Sequence, residues 1–312
     1  MSPALSGNVP RGWQQEFPKT DFSRSTIDFS EVLSGGPPRD GIPSIDNPQF
    51  RKASDITGLG ENEPVIALSV NGEHKAYPLR ILMWHEIAND EIGGVPVSVT
   101  YCPLCNAAVV FDRRVNGKIL DFGVSGKLRH SDMIMYDRQT ETWWQQFSGT
   151  GVIGKLAGTT LTALPSRTIP FRVFRAEHPE SPVLAPNNAR MRDYGRNPYV
   201  NYDNERNTPF LFRGDYDGPV PALAYVVAVG DKAFSLNFLR EAGKLERDGL
   251  VITWQQGMNS AMDAPRINRG RDIGFVTVQR KNADGTLSDE VHDVTFAFAF
   301  KAFHPDGVIY TD

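Results

Sequence analysis

Cys102 and Cys105 stand three apart in the run Thr100-Tyr101-Cys102-Pro103-Leu104-Cys105, and the 312-residue chain has no other cysteine. A pair at this spacing closes a small disulfide, cycles between dithiol and disulfide, or presents two thiolates to a soft metal ion. A zinc site wants four ligands. With no second cysteine pair, histidine must complete it, and the six are His74, His85, His130, His178, His292 and His304. His85 lies in Trp84-His85-Glu86, just before the strand that delivers Cys102, and His130 lies in a polar stretch with apolar flanks. Cys102, Cys105, His85 and His130 are therefore the expected ligands of a Cu(I) or Zn(II) ion, with Met133 or Met135 as a soft supplement. In a redox protein the same imidazoles would be proton partners of the thiols. The plainer reading of His85 is a hydrogen-bonded core histidine.

Residues 125–144 are the second informative stretch, dense in charge and aromatic rings. Asp132, Asp137 and Arg138 are expected to form a polar wall beside Cys102 and Cys105 and to share their chemistry. Arg138 can hold a carboxylate in a bidentate pair, from the chain or from an acidic ligand. The alternatives are a salt bridge in a turn for Asp137-Arg138 and core packing for Trp143 and Trp144. Glu86 and Asp90, four apart, read as a solvated helix face or a cap rather than an acid/base pair. No nucleophile elbow, phosphate loop or dinucleotide fingerprint is present.

The elements that must position these residues begin near Pro64. Residues 65–70 read as a strand, Asn71-Gly72 as a tight turn, and residues 74–77 as the returning strand. Leu79, Leu82, Met83 and Ile87 predict a helix over 79–89. Val95, Val97, Val99 and Tyr101 alternate as a half-buried strand ending at Cys102. A hairpin follows, turning at Asn116-Gly117. The thioredoxin context is missing, because residues 106–111 are strand-like where that fold has a helix.

Residues 224–261 echo the first unit. Lys232-Ala233-Phe234-Ser235-Leu236 matches Lys75-Ala76-Tyr77-Pro78-Leu79, and a common offset places Gln255 at Cys102 and Met258 at Cys105. The expected fold is α+β: a β-rich mixed body of two related strand–turn–strand–helix–strand halves, with an extended N-terminal arm. Its divisions are an arm over 1–50, a first half with the cysteine site over 51–180, an irregular connector over 181–221, and a degenerate second half over 222–312. If the second copy folds without cysteines, the pair serves a local task in the first rather than holding the scaffold.

A net charge of −4 with 22% charged residues argues against a general nucleic-acid binder. No apolar run reaches the roughly 18 residues of a membrane span. The opening residues show no basic and apolar leader pattern, which fits a cytoplasmic protein or a mature exported one.

Several separated blocks carry a family resemblance: Asp40-Gly41-Ile42-Pro43-Ser44-Ile45-Asp46, Ala76-Tyr77-Pro78-Leu79, Trp84-His85-Glu86, the cysteine run, Phe122-Gly123-Val124-Ser125-Gly126, and Met135-Tyr136-Asp137-Arg138-Gln139-Thr140. Together they resemble the bacterial and archaeal family catalogued as domain of unknown function 3179, over roughly residues 40–310. The resemblance implies an exported or lipid-anchored setting, hence an extracytoplasmic mature form. It assigns no activity. Asn106 stands where the family commonly has glycine. The expected function is a thiol-redox or soft-metal protein whose partner is a small molecule, a metal ion or a thiol-bearing protein. The alternative is a binding module with an inert disulfide.

Overall fold

The structure is a computed structural model that describes residues 8–312; the opening residues, 1–7, lie outside it. Its strands pair into five main sheets, the blades of a β-propeller. Blade I orders Val32–Ser34, Phe122–Arg129, Asp132–Asp137, Trp143–Gln145 and Thr150–Ile153. Blade II orders Ser166–Pro170, Pro64–Val70, Glu73–Pro78, Pro182–Ala185 and Gln49–Lys52. Blade III orders Ala163–Leu164, Ala107–Asp112, Val95–Cys102 and Ile87–Ile92. Blade IV orders Asp293–Phe296, Tyr225–Val229, Lys232–Ser235 and Val308–Tyr310, and blade V runs Lys244–Arg247, Leu250–Gln255, Phe275–Lys281 and Leu287–Asp289.

This overturns the expected α+β body of two halves. The α-helices are four to seven residues long, too short to form a layer of their own. The run Pro64–Val70, Glu73–Pro78, Leu79–His85, Ile87–Ile92, Val95–Cys102 does share its element order with Tyr225–Val229, Lys232–Ser235, Leu236–Ala242, Lys244–Arg247, Leu250–Gln255. In each run, however, the first two strands belong to one blade and the last two to another. The short helix is the crossing between blades, so the similar stretches mark blade boundaries.

The N-terminal residues are built in rather than laid across a finished body. Val32–Ser34 pairs with Phe122–Arg129 at the edge of blade I, and Gln49–Lys52 pairs with Pro182–Ala185 at the edge of blade II. Trp13, Phe17 and Phe22 pack around Trp143 with ring centroids from 4.8 Å, and Phe29 packs against Trp13 and Phe22.

Two local expectations are also corrected. The helix predicted over 79–89 stops at His85, where Glu86 turns left-handed with φ 58° and donates its N–H to the Leu82 carbonyl. Ile87 then starts a strand that pairs with Val95–Cys102. That second strand is buried on both faces from Pro96 to Cys102 rather than half-buried. Residues 186–224 form no helix and no strand beyond the isolated bridge Arg196–Arg266, yet they deliver the buried Asp203 to Tyr225, Ser260 and Arg271. No described helix is long and apolar enough to cross a membrane.

Candidate functional site

Cys102 is the last residue of its strand, paired across from Ala107. Residues 103–106 form the turn, closed by the Asn106 N–H on the Pro103 carbonyl. Asn106 is left-handed at φ 51°, a conformation that glycine and asparagine adopt most readily. Blade IV fixes this turn from the other side. The Cys105 carbonyl accepts the Phe296 N–H at 3.0 Å and the Thr295 hydroxyl at 2.7 Å, and Asn106 Nδ2 donates to the Val294 carbonyl at 2.7 Å.

Blade I supplies the third wall. Its strands Phe122–Arg129 and Asp132–Asp137 are joined by His130 and Ser131, both left-handed, the signature of a two-residue hairpin turn. The turn aims backbone carbonyls at the thiols: Cys102 Sγ lies 3.7 Å from the Ser131 oxygen and Cys105 Sγ 3.9 Å from the His130 oxygen. Asp132 follows at once. Cys102, Cys105 and Asp132 are buried, and one ligand atom from each lies within 4.8 Å of the other two. The cysteines are free thiols 4.3 Å apart.

The electrostatics of this cluster are unusual. Asp132 Oδ2 accepts from Gln145 Nε2 at 2.6 Å and from the Phe147 N–H at 2.9 Å, while its buried Oδ1 has no partner among the described residues. Burial pushes the Asp132 carboxyl up to about 7. Asp293 of blade IV is likewise pushed up to about 7 by burial; one oxygen accepts the Ala108 N–H and the other has no partner among the described residues. Burial, then the charge of Asp132, raises Glu86 to about 8. Burial also raises both thiols, Cys105 further than Cys102. Among the described residues no salt bridge reaches any of the three carboxyls. Lys127, close by, is bound to Glu16 at 2.7 Å.

The other expected site residues lie elsewhere. His85 turns both ring nitrogens away from the sulfurs, Nδ1 to the Pro43 carbonyl at 2.7 Å and Nε2 to the Tyr194 hydroxyl at 2.8 Å. His130 contributes its carbonyl; its ring stands 3.6 Å from Glu31 and edge-on to Phe212 and Phe303. Burial lowers the pKa of both rings, so the His130–Glu31 contact is not an ion pair at neutral pH. Asp137 caps its own turn, accepting from Thr140 and from Trp144 Nε1. Arg138 pairs with Asp46 at 2.7 Å and donates to Ser44, pinning the N-terminal segment. Cys102, Cys105 and Asp132 are thus brought together, and His85, His130, Asp137 and Arg138 are not.

A family model described as protein of unknown function (DUF3179) matches residues 39–307, most of the chain. The chain belongs to this family. No curated protein and no solved structure matches it. Within this DUF3179 chain, sequence reasoning missed two groups. Asp293 follows no motif, and only the pairing of blade IV with the cysteine turn brings it near. Glu86 carried a readable signal, since the second run has Gly243 at the equivalent helix end, with φ 68°. Glu86 thus holds, at φ 58°, a conformation that the second run gives to a glycine.

Proposed function

We propose that this protein binds one zinc ion through Cys102 Sγ, Cys105 Sγ and a carboxylate oxygen of Asp132, leaving a fourth position for an exchangeable ligand. The observation that carries the reading is the buried Asp132 carboxyl, whose Oδ1 has no hydrogen-bond partner among the described residues and one of whose oxygens lies within 4.8 Å of two free thiols. Such a group is costly to bury unless a proton or a cation compensates it. Two sulfurs with a carboxylate favour zinc, which accepts sulfur and oxygen together, over Cu(I), which prefers sulfur. Zinc–sulfur bonds of about 2.3 Å at a tetrahedral angle place the sulfurs about 3.8 Å apart. The present 4.3 Å is thus within a small side-chain rotation of that geometry. The raised thiol pKa values weigh against a dithiol working as a nucleophile at neutral pH. Three protein ligands with one open position are the pattern of reactive rather than purely structural zinc.

The test is metal analysis of reduced protein purified without oxygen and dialysed against zinc or Cu(I). One zinc per chain is expected, with Cys102→Ser, Cys105→Ser and Asp132→Asn each lowering affinity at least tenfold. Preference for Cu(I) with no effect of Asp132→Asn, or substoichiometric metal with a disulfide that resists mild reductants, would overturn it.

A further inference from the structure

The two cysteines are not equivalent toward their surroundings. A cavity of about 100 Å³ opens beside Cys102 and does not border Cys105. Its wall includes Glu86, Cys102, Leu104, Lys127, Met133 and Tyr199, and Ile42, from the segment over 35–42, is its half-buried flank. A dry cavity of about 150 Å³ holds benzene, so this one suits a guest of at most about five heavy atoms.

Glu86 is the one carboxyl in this wall. Its side chain makes no hydrogen bond to another described side chain or backbone group, whereas Lys127 is held by Glu16. It is held in a left-handed conformation that a residue with a Cβ adopts only at a cost. Glu86 is absent from the group of mutually close ligand atoms, so it stands beyond direct ligation by the same ion. The arrangement is a candidate metal position and a small cavity that share Cys102, with the Glu86 carboxyl in the cavity wall.

We propose that this cavity is the pocket for a small, uncharged Lewis base that takes the metal's fourth position, with Glu86 as its hydrogen-bonding partner. The inference rests on the zinc reading. The charge class follows from the donors: two thiolates and a carboxylate already outweigh a divalent ion by one charge, and an anion would add a second uncompensated charge in a buried site. The size class follows from the cavity. Glu86 completes a common division of labour, in which a carboxyl outside the coordination shell orients or exchanges protons with the metal's exogenous ligand.

Two measurements test the pocket and separate its failure from that of the zinc reading. In the first, reduced metal-free protein is alkylated with iodoacetamide and the modified peptides are quantified. Cys102 should react at least tenfold faster than Cys105, and Ile42→Trp should remove most of that difference. Equal rates, or faster reaction at Cys105, would overturn the pocket whether or not metal binds.

In the second, the site is loaded with Co(II) and its visible bands are followed while imidazole or azide is added. Imidazole at pH 8 should shift the bands, at least tenfold more weakly in Ile42→Trp and in Glu86→Leu, with Glu86→Gln restoring most of the affinity. Bands that ignore imidazole in a fully loaded protein would overturn the pocket and leave the metal site standing. Azide binding as well as imidazole would overturn the charge class, and an unchanged Glu86→Leu would overturn the role of Glu86. Failure to load Co(II) or zinc at all would overturn the zinc reading itself.

Discussion

A carboxyl buried beside two thiols escapes an uncompensated charge by keeping its proton or by sharing a cation. In the metal-free fold the proton is kept. Asp132 and Asp293, raised to about 7, and Glu86, raised to about 8, hold protons that the unfolded chain releases above roughly pH 4.5. Their contribution to stability is therefore complete below about pH 4, falls as pH rises, and is fully lost only once pH has passed 7 and 8. The raised thiols act in the same direction. Buried His85, His130 and His292 oppose it: their pKa values are lowered, so their contribution is lost as pH falls below about 6.5. Between pH 6.5 and 8.5 the carboxyls dominate. Thermal unfolding in chelator should show Tm falling across that window, and Asp293→Asn should flatten the slope; a Tm that rises would refute the account. The cysteine pair was legible from spacing alone, and Asp132 from its charge in an apolar-flanked segment. The direction of an imidazole was not, because nothing local says that His130 belongs to a hairpin turn or that His85 finds Tyr194.

Among the elements, the hairpin of blade I and the segment over 35–42 depend on each other. The Asp40 N–H bonds the Val124 carbonyl, the Gly35 N–H bonds the Gly126 carbonyl, and the pairing register shifts between Val124 and Lys127. Gly126 takes φ 73°, and a Cβ there would run into the Pro37 carbonyl. Gly126→Ala should destabilise the fold by about 1–3 kcal/mol, as strained backbone positions do. It should also speed iodoacetamide labelling of Cys102 more than of Cys105, because Pro37 lines the cavity. An unchanged labelling ratio would detach the segment from access. Phe17, fully buried between Tyr136 and Trp143, tests the packing of the same N-terminal region. Phe17→Ala should cost about 3–5 kcal/mol in denaturant unfolding. Turns and strand runs were readable here, since Asn116-Gly117 and the alternation at 95–101 are local signals. Blade membership was not, because Val32–Ser34 finds its partner across roughly a hundred residues. The helix overshot because Ile87 fits the apolar rhythm of a helix and of a strand equally, and the deciding event is the left-handed turn at Glu86.

At the scale of the whole molecule the site is a junction of blades. Blade III carries both thiols, blade I carries Asp132, and blade IV clamps the Cys105 carbonyl and adds Asp293. A bound ion would tie blades I and III together, and its binding free energy would appear as folding free energy. Free zinc at 100 times its Kd stabilises by about 2.7 kcal/mol, worth several degrees in a chain of this size. The ligands must lose protons to bind, so this gain should grow from pH 6.5 to 8.5, where the metal-free protein weakens. The difference between zinc-loaded and chelated Tm should therefore widen with pH. Asp132→Asn separates this from nonspecific effects. It removes a buried acid, so the metal-free Tm should hold or rise at pH 8, while most of the zinc-dependent gain disappears. A variant that kept the full zinc response would show that the ion, if it binds, is held away from the junction of blades I and III.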